Sequence, residues 1–180
     1  MKKWKSEGSG TVDKSLLGFC GDNVIIEDGV RIFHPENIYI GDNVYIGHDT
    51  ILKGYYKDQL IIESNCWIGQ KCFIHGAGGV TIHEYVGIGP SVSILASSHQ
   101  ENENPNELIL FSPLTFPSIT IETNCNIGLS ASIIGEVTIG ANSKIGAHAL
   151  VNRSIPSNSV AVGIPCKVIK KRLNKAKDHD

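Results

Sequence analysis

A six-residue repeat is the feature that most limits what this chain can fold into. A period of six matches neither the 3.6-residue period of a helix nor the period of two of a plain strand. It predicts a solenoid with triangular coils, each made of about three six-residue words and each burying its edges on its neighbours. The aliphatic residues that mark the repeat stand before and after residues 97–117, at Ile40, Ile46, Leu52, Ile62, Ile68, Ile74, Ile82, Ile88, Ile94, Ile121, Ile127, Ile133, Ile139, Ile145 and Val151.

The repeat also predicts which side chains point inward. The aliphatic residue and the small or β-branched residue four places after it are both expected to face the core. Glycine often follows the aliphatic residue, and we expect it to permit backbone angles that a side chain would forbid. Of the five cysteines, Cys66, Cys72 and Cys125 occupy the small position, so we interpret them as core residues. An odd number of cysteines without paired CxxC spacing predicts neither a disulfide framework nor a zinc site.

The composition limits the class of protein. A chain of 180 residues, 41% hydrophobic and 19% charged, can bury one sizeable core and is unlike a disordered chain. A net charge of −2 argues against a general nucleic-acid binder. No apolar run approaches the roughly 20 residues of a membrane span. The N-terminal MKKWKSEGSG lacks the apolar region of a secretory signal. We therefore expect a cytoplasmic protein with no membrane span and no nucleic-acid partner.

The register of the repeat divides the chain into segments. Residues 1–19 carry few repeat signals and are expected to cap the open end of the solenoid, which then occupies residues 20–160. The repeat stops over residues 97–117, where we expect a protruding loop, because a long segment of this kind in a compact domain is often functional. In the C-terminal segment, residues 161–180, the run KVIKKRL predicts a short basic helix.

Residues 20–172 resemble the hexapeptide-repeat acyltransferases, and the most specific part is the run IGANSKIGAHALVNRSIPSNSVAVGIPCKVIKK. Within that family the chain is most similar to the galactoside and maltose type of sugar O-acetyltransferase. The resemblance implies an all-β, left-handed parallel β-helix and acetyl-CoA as co-substrate. It also implies a homotrimer with active sites between neighbouring subunits. The implied reaction is acetylation of a sugar hydroxyl, in a context such as surface polysaccharide synthesis.

The resemblance assigns the catalytic role to His99, which follows the run GIGPSVSILASSH where the loop leaves the coil. A sugar hydroxyl is too weak an acid to attack a thioester unaided, and an imidazole of pKa about 6.5 can accept its proton. His75 and Glu101 are assigned to the acceptor side. Glu84, Glu101 and Glu103 are each able to orient the His99 ring, and a backbone carbonyl is a further alternative. The remaining histidines of the coils are interpreted as surface residues: His34, His48, His83 and His148.

The same resemblance maps the acetyl-CoA site onto the second half of the chain. Family positions along the pantetheine arm correspond to Gly128, Leu129 and Ala147, and the oxyanion donor is expected near Gly128 and Leu129. Asn152 and Arg153 correspond to positions near the adenine. Lys167 and Lys170 correspond to positions near the phosphates, where cations are the expected partners. The chain departs from its relatives at Asn126, where they carry a tryptophan, and its own Trp67 lies elsewhere in the sequence.

Three other functions compete with sugar O-acetylation. The first is N-acetylation of an amino sugar or of a nucleotide-linked amino sugar, which would use the same histidine. The second is a zinc hydratase, which needs three histidines around one metal ion. Because the close histidine pair of such enzymes is absent from this sequence, we expect no metal site. The third is a purely structural β-helix, which would need neither His99 nor the C-terminal run that resembles a CoA site.

Overall fold

The computed structural model describes residues 12–101, 104, 106 and 108–172, and within them the chain forms a three-sided parallel solenoid. Within the six complete three-strand coils, neighbouring strands of each sheet come from successive coils, three strands apart along the chain except where a loop with two further strands intervenes. Sheet A consists of β1 (Phe19–Cys20), β4 (Ile38–Ile40), β7 (Leu60–Ile62), β10 (Val80–Ile82), β15 (Ile119–Ile121) and β18 (Val137–Ile139).

The other two sides have the same construction. Sheet B consists of β2 (Ile25–Ile26), β5 (Tyr45–Ile46), β8 (Trp67–Ile68), β11 (Gly87–Ile88), β16 (Asn126–Ile127), β19 (Lys144–Ile145), β21 (Ser159–Val162) and β22 (Lys167–Lys171). Sheet C consists of β3 (Arg31–Phe33), β6 (Ile51–Lys53), β9 (Phe73–His75), β12 (Ser93–Leu95), β17 (Ser132–Ile134) and β20 (Leu150–Val151). The predicted all-β solenoid is therefore confirmed.

The core contains the two inward positions of each repeat, as the sequence predicts. Aliphatic residues from all three sheets, such as Ile40, Ile68 and Ile94, are fully buried. The three cysteines at the small position are buried too, and their thiols donate to carbonyl oxygens of the next coil. The Sγ–O distance is 3.0 Å from Cys66 to His83, 3.2 Å from Cys72 to Gly89 and 3.3 Å from Cys125 to Gly140. Burial raises the pKa of all three thiols, so they remain protonated hydrogen-bond donors.

The glycine after the aliphatic residue has a different role from the predicted one. Its backbone angles lie outside the left-handed region, which is occupied instead by the residue two places later. The glycines are needed because the next coil passes directly above them. A Cβ atom on Gly69 would lie 2.7 Å from the backbone nitrogen of Pro90, and one on Gly128 would lie 2.5 Å from that of Ala147. The prediction of special backbone angles at these glycines is therefore wrong, and close stacking of coils is the reason for them.

The left-handed residues form rows along the corners of the solenoid. At the corner between sheets A and B the row contains asparagines, which tolerate this conformation because of their short polar side chains. Their amides form ladders along the axis, with Nδ2–Oδ1 distances of 2.8 Å from Asn23 to Asn43 and 2.9 Å from Asn43 to Asn65. Tyr85 interrupts this row with a φ of 59°. This corner is thus stabilised by side-chain bonds between coils as well as by the sheets.

The C-terminal end of the solenoid differs from the sequence prediction in its secondary structure. The predicted basic helix in KVIKKRL is wrong: Lys167–Lys171 form strand β22, which pairs antiparallel with β21 at the edge of sheet B. The unpaired edge of β21 offers backbone hydrogen bonds, and tertiary pairing of this kind overrides the weak helix propensity of a short run. Residues 173–180 lie outside the described part of the chain, as do residues 1–11 of the predicted cap. Leu17, which follows the 3₁₀ helix Lys14–Leu16, is buried over the first coil.

The predicted loop leaves the solenoid between β12 and β15, at the corner between sheets C and A. We call residues 97–117 the arm. Its base is a short antiparallel pair, β13 (Ser98–His99) with β14 (Leu114–Thr115), and a 3₁₀ helix spans Ile109–Phe111. Another 3₁₀ helix, Pro35–Asn37, connects β3 to β4 at the same corner. No helix among the described residues is long and apolar enough to cross a membrane.

Candidate active site

His99 lies on β13 at the base of the arm, and its ring is exposed. The ring nitrogen Nδ1 is 3.2 Å from the backbone carbonyl oxygen of Ser112, on the returning side of the arm. A carbonyl oxygen only accepts hydrogen bonds, so Nδ1 carries the proton and the lone pair of neutral imidazole is on Nε2. This is the tautomer in which Nε2 can accept a proton from a substrate hydroxyl.

The backbone of the arm holds His99 in addition to this contact. His99 pairs with Leu114, Ser98 pairs with Thr115, and the amide of Gln100 donates to the Pro113 carbonyl at 2.9 Å. Of the carboxylates considered for orienting the ring, Glu103 lies outside the described residues. In the described ranges neither Glu84 nor Glu101 is bonded to His99. The structure therefore assigns the orienting contact to a backbone carbonyl, the further alternative left open by the sequence.

Gly128, Leu129 and Ala147 lie together at the corner between sheets B and C, on adjacent coils. The amide of Gly128 donates to the Ile145 carbonyl at 2.9 Å, so it is not available to a ligand. In contrast, the amides of Leu129 and Ala147 make no hydrogen bond within residues 12–101, 104, 106 and 108–172. Two backbone N–H groups at this corner therefore have no partner within the described ranges, and such groups suit an oxyanion or the carbonyl groups of an extended ligand.

A groove of about 470 Å³ lies at the C-terminal end of the solenoid. It brings together three residues of the predicted acetyl-CoA site, because its walls include Asn152, Arg153 and Lys167. The groove is formed where residues 152–154 leave β20 and the chain returns through Pro165 and Cys166 to begin β22. Two cations and an amide in one concave surface fit an anionic ligand such as a phosphate.

Lys170 does not line this groove. It lies further along β22, opposite Val160 of β21, and is exposed. The strand explains the separation, since Lys167 and Lys170 are three residues apart and a strand rises roughly 3.3 Å per residue. A helix would have brought the two side chains onto one face. The assignment of Lys170 to the phosphates stays a prediction.

His75 ends strand β9 on the outer side of sheet C, directly beside Leu95 of the next coil, as the repeat predicts. Its Nδ1 is 3.4 Å from the hydroxyl of Ser97 at the start of the arm. The Tyr55 ring packs edge-on against it, with ring centroids 5.5 Å apart. His75 therefore lies at the base of the arm, and its assignment to the acceptor stays a prediction. Glu101 is exposed on the arm two residues after His99.

Sequence reasoning missed one feature near the corner between sheets B and C, namely the position of Trp67. Trp67 lies in the same outward-facing row of sheet B as Asn126, with only Gly87 between them. Its ring stacks on Tyr45 with ring centroids 5.7 Å apart and an interplanar angle of 4°, and the indole is 43% exposed. The linear sequence separates Trp67 from Asn126, but the solenoid places them two coils apart on one face. The six-residue run from Ile62 to Trp67 aligns with that from Ile121 to Asn126 and could have indicated this.

No group of three or more histidine, cysteine, aspartate or glutamate side chains could hold a metal ion in the described part of the chain. His83 is paired with Glu63, at 3.0 Å between Nδ1 and Oε2, and His48 is near Glu27, at 3.7 Å between Nε2 and Oε2. His75 and His99 have the contacts described above. Each of these four histidines therefore contacts a different partner.

Comparison with known proteins identifies the repeat and the wider similarity. The family model for the hexapeptide repeat of succinyl-transferase matches residues 59–89 and 118–153. A provisionally named acetyltransferase of Saccharomyces cerevisiae is 37% identical over 164 residues, covering 91% of this chain and 71% of that protein. Galactoside O-acetyltransferase of Escherichia coli is 32% identical over 160 residues, covering 87% of this chain and 65% of that protein.

Two further comparisons concern the acceptor and the co-substrate. A dTDP-4-amino-4,6-dideoxy-D-glucose acyltransferase of Escherichia coli is 29% identical over 168 residues, covering 88% of this chain and 85% of that protein. The solved structure of a galactoside acetyltransferase in complex with coenzyme A superposes with a TM-score of 0.66 at 31% identity. That superposition covers 89% of this chain and 68% of that one.

Proposed function

Because the chain belongs to the hexapeptide-repeat acyltransferase family, we propose that it transfers the acetyl group of acetyl-CoA to a sugar hydroxyl, with His99 as general base. The family makes the chain an acyltransferase that uses acetyl-CoA, and its relatives include a galactoside O-acetyltransferase and a dTDP-amino-sugar acyltransferase. The observation that carries the catalytic proposal is the bond between Nδ1 of His99 and the Ser112 carbonyl. This bond leaves Nε2 as the proton acceptor on an exposed part of the arm.

The proposed reaction is a direct transfer. As the sugar oxygen attacks the thioester carbonyl carbon, Nε2 of His99 takes the hydroxyl proton. The negative charge that develops on the carbonyl oxygen accepts a hydrogen bond from a backbone amide, for which Leu129 N–H is suited because it has no partner among the described residues. The carbon–sulfur bond then breaks, and the imidazolium returns its proton to the CoA thiolate. In this proposal Glu101 and His75 lie on the acceptor side.

We place the pantetheine chain of acetyl-CoA along Gly128, Leu129 and Ala147. The adenosine and phosphate end lies in the groove that is lined by Asn152, Arg153 and Lys167. Lys170 would lie at the outer edge of that site. Gly128 supports the placement because its missing side chain lets two coils approach closely at the corner. Outward backbone amides at this corner can pair with the amide carbonyls of pantetheine.

We propose a homotrimer in which the arm of one subunit reaches the acetyl-CoA groove of the next. The arm leaves the corner between sheets C and A, whereas Gly128 and Ala147 are at the corner between sheets B and C. The arm also carries four consecutive apolar residues that are 57–69% exposed, Leu108, Ile109, Leu110 and Phe111. An exposed apolar run of this kind marks an interaction surface, and a second copy of the chain would cover it.

The proposed context is modification of a surface polysaccharide precursor in the cytoplasm. All five cysteines are free thiols, which fits a reducing compartment. The competing acceptor is an amine on a nucleotide-linked amino sugar. It is favoured by the similarity to the dTDP-amino-sugar acyltransferase, which is 29% identical to this chain over 168 residues. Both acceptors would use the same base, so the acceptor has to be determined by assay.

The test is release of CoA thiol from acetyl-CoA in the presence of sugars, amino sugars and nucleotide-linked amino sugars. We expect turnover with a hydroxyl acceptor and a loss of roughly 100-fold or more in His99→Ala, as removal of a general base predicts. His48→Ala is the matched control, because His48 is a half-exposed surface histidine paired with Glu27. Turnover only with amines would replace the hydroxyl acceptor, and equal activity of His99→Ala and wild type would exclude His99 as the base.

A further inference from the structure

The base of the arm is held by a closed set of contacts with the solenoid. The outgoing side is attached through Ser97, whose hydroxyl is 3.4 Å from Nδ1 of His75. The returning side is attached through Phe116, whose ring is 5.9 Å from that of Tyr55. Tyr55 and His75 contact each other, with ring centroids 5.5 Å apart. The two sides of the arm are therefore linked to each other through rings that belong to the coils below.

The returning side is also pressed against the solenoid backbone. A Cβ atom on Gly78 would lie 2.3 Å from the carbonyl oxygen of Pro117 and 2.5 Å from the carbonyl carbon of Phe116. Gly78 is buried in the turn between β9 and β10. The chain at residues 116–117 consequently has little freedom to move toward this turn.

Tyr55 belongs to an insertion in the repeat. Residues 54–59 separate β6 from β7, and they add a stretch that the six-residue period does not require. Besides its contacts with His75 and Phe116, the Tyr55 ring is 4.5 Å from that of Tyr56 and 6.2 Å from that of His34. An inserted aromatic side chain thus fills the space between the corner of three coils and the arm.

The contacts of Phe116 affect the position of His99 because few residues separate the two along the paired strands of the arm. Phe116 directly follows β14, and β14 is the strand that pairs with His99. The Ser112 carbonyl that orients the imidazole lies on the same returning side. A shift of Phe116 would therefore move both the partner strand of His99 and the acceptor of its Nδ1 proton.

We propose that Tyr55, His75 and Phe116 form an aromatic clamp that sets the position of Nε2 of His99 relative to the acceptor hydroxyl. Tyr55 and Phe116 are positioning residues, since they act through the arm and need not touch either substrate. His75 on the acceptor side connects Tyr55 to Ser97. The inference rests on the proposed function of His99 as base. Positioning matters because a misplacement of about 1 Å can cost roughly 100-fold in rate. In this proposal the insertion at residues 54–59 holds the base of the arm in position.

The first test compares kinetics of variants that remove one ring of the clamp. In Tyr55→Ala and Phe116→Ala we expect kcat to fall roughly 10–100-fold, with the KM for the acceptor unchanged within about threefold. Tyr55→Phe keeps the ring and should restore most of kcat. Phe19→Ala is the matched control, because it removes a ring that is 54% exposed on the first coil. A rise in KM at constant kcat would overturn the clamp and make these side chains acceptor contacts.

The second test separates positioning from general damage to the fold. In a His99→Ala background the base is absent, so Tyr55→Ala should lower the residual activity no further. A loss of the same size in both backgrounds would mean that the variant reduces the amount of folded enzyme, and the proposal would be wrong.

A third readout does not depend on activity, so failure of the clamp and failure of the proposed reaction are distinguishable. Hydrogen exchange at the amide of Gln100, which donates to the Pro113 carbonyl at 2.9 Å, should become faster in Tyr55→Ala and Phe116→Ala. It should not change in Phe19→Ala. Unchanged protection of this amide in the clamp variants would overturn the clamp even if His99 is the base. Faster exchange with no acetyl transfer by wild type would support the clamp and reject the proposed function.

Discussion

The solenoid and the arm place the same type of residue in opposite environments. Ile94 on β12 is fully buried between coils, whereas Ile109 on the arm is 69% exposed. In the solenoid, the environment of a side chain follows from its position in the six-residue word, because each coil repeats the contacts of the previous one. In the arm no repeat exists, and each side chain has the environment that its particular contacts provide.

The difference separates stability from function within one chain. The solenoid buries apolar side chains and pairs nearly all of its strands, so it supplies a rigid frame. The arm exposes apolar residues and carries the proposed base, which is how functional loops on rigid scaffolds are arranged. Its own order comes from a few contacts at its base, namely the β13–β14 pair and the clamp.

The largest expected difference between the two regions is in the cost of removing an isoleucine side chain. Ile94→Ala would leave a cavity in the core and should lower the free energy of unfolding by about 2–5 kcal/mol. Ile109→Ala should change it by less than about 0.5 kcal/mol in the isolated subunit, because an exposed side chain loses few contacts. Denaturant unfolding measures both values. Similar losses in the two variants would remove the distinction between frame and arm.

A loss of stability at alkaline pH is expected from the buried thiols of the solenoid, whereas the arm contains no cysteine. Burial raises the pKa of the Cys66 thiol to about 11. An unfolded thiol loses its proton at a lower pH, so this contribution is complete below about pH 8.5 and is lost as pH rises toward 11. The linked loss for Cys66 is about 3 kcal/mol.

Unfolding measured in denaturant at pH 8 and pH 11 tests this contribution. Other groups titrate in the same range, so the relevant quantity is the difference between wild type and Cys66→Ala. The variant should lose less stability over this interval than wild type does. An identical pH dependence would show that the thiol does not contribute in this way.

The smallest expected effect is the difference in stability between alanine variants of two glycines in the solenoid. A Cβ atom on Gly69 would lie 2.7 Å from the backbone nitrogen of Pro90, whereas one on Gly87 would lie 3.2 Å from the flexible side-chain amide of Asn126. Gly69→Ala should therefore cost about 1–3 kcal/mol from overpacking, because backbone cannot move aside. Gly87→Ala should cost much less, and thermal unfolding of both variants checks the order. Equal costs would mean that coil spacing does not explain the glycines.

The proposed base, His99, and the groove illustrate how far sequence reasoning reached. The break in the repeat identified the arm and His99, and the family resemblance assigned Asn152, Arg153 and Lys167, which the structure brings to one groove. The orienting partner of His99 was left among three carboxylates and a backbone carbonyl. Sequence could not choose, because Ser112 approaches His99 only through the antiparallel pairing of the two sides of the arm.

The sequence by itself determined the solenoid, its inward residues and the place where it is interrupted. It could do so because each six-residue repeat has its buried side chains at the same two positions. The tertiary structure alone decided the features that depend on contacts between coils. Glycine follows the aliphatic residue because the next coil lies above it. KVIKK is a strand because β21 offers an edge, and Tyr55 meets Phe116 because the arm returns to the corner where the insertion stands. The partners of the glycines and of Tyr55 are distant in sequence, and the propensity of KVIKK alone does not reveal that β21 offers it an edge.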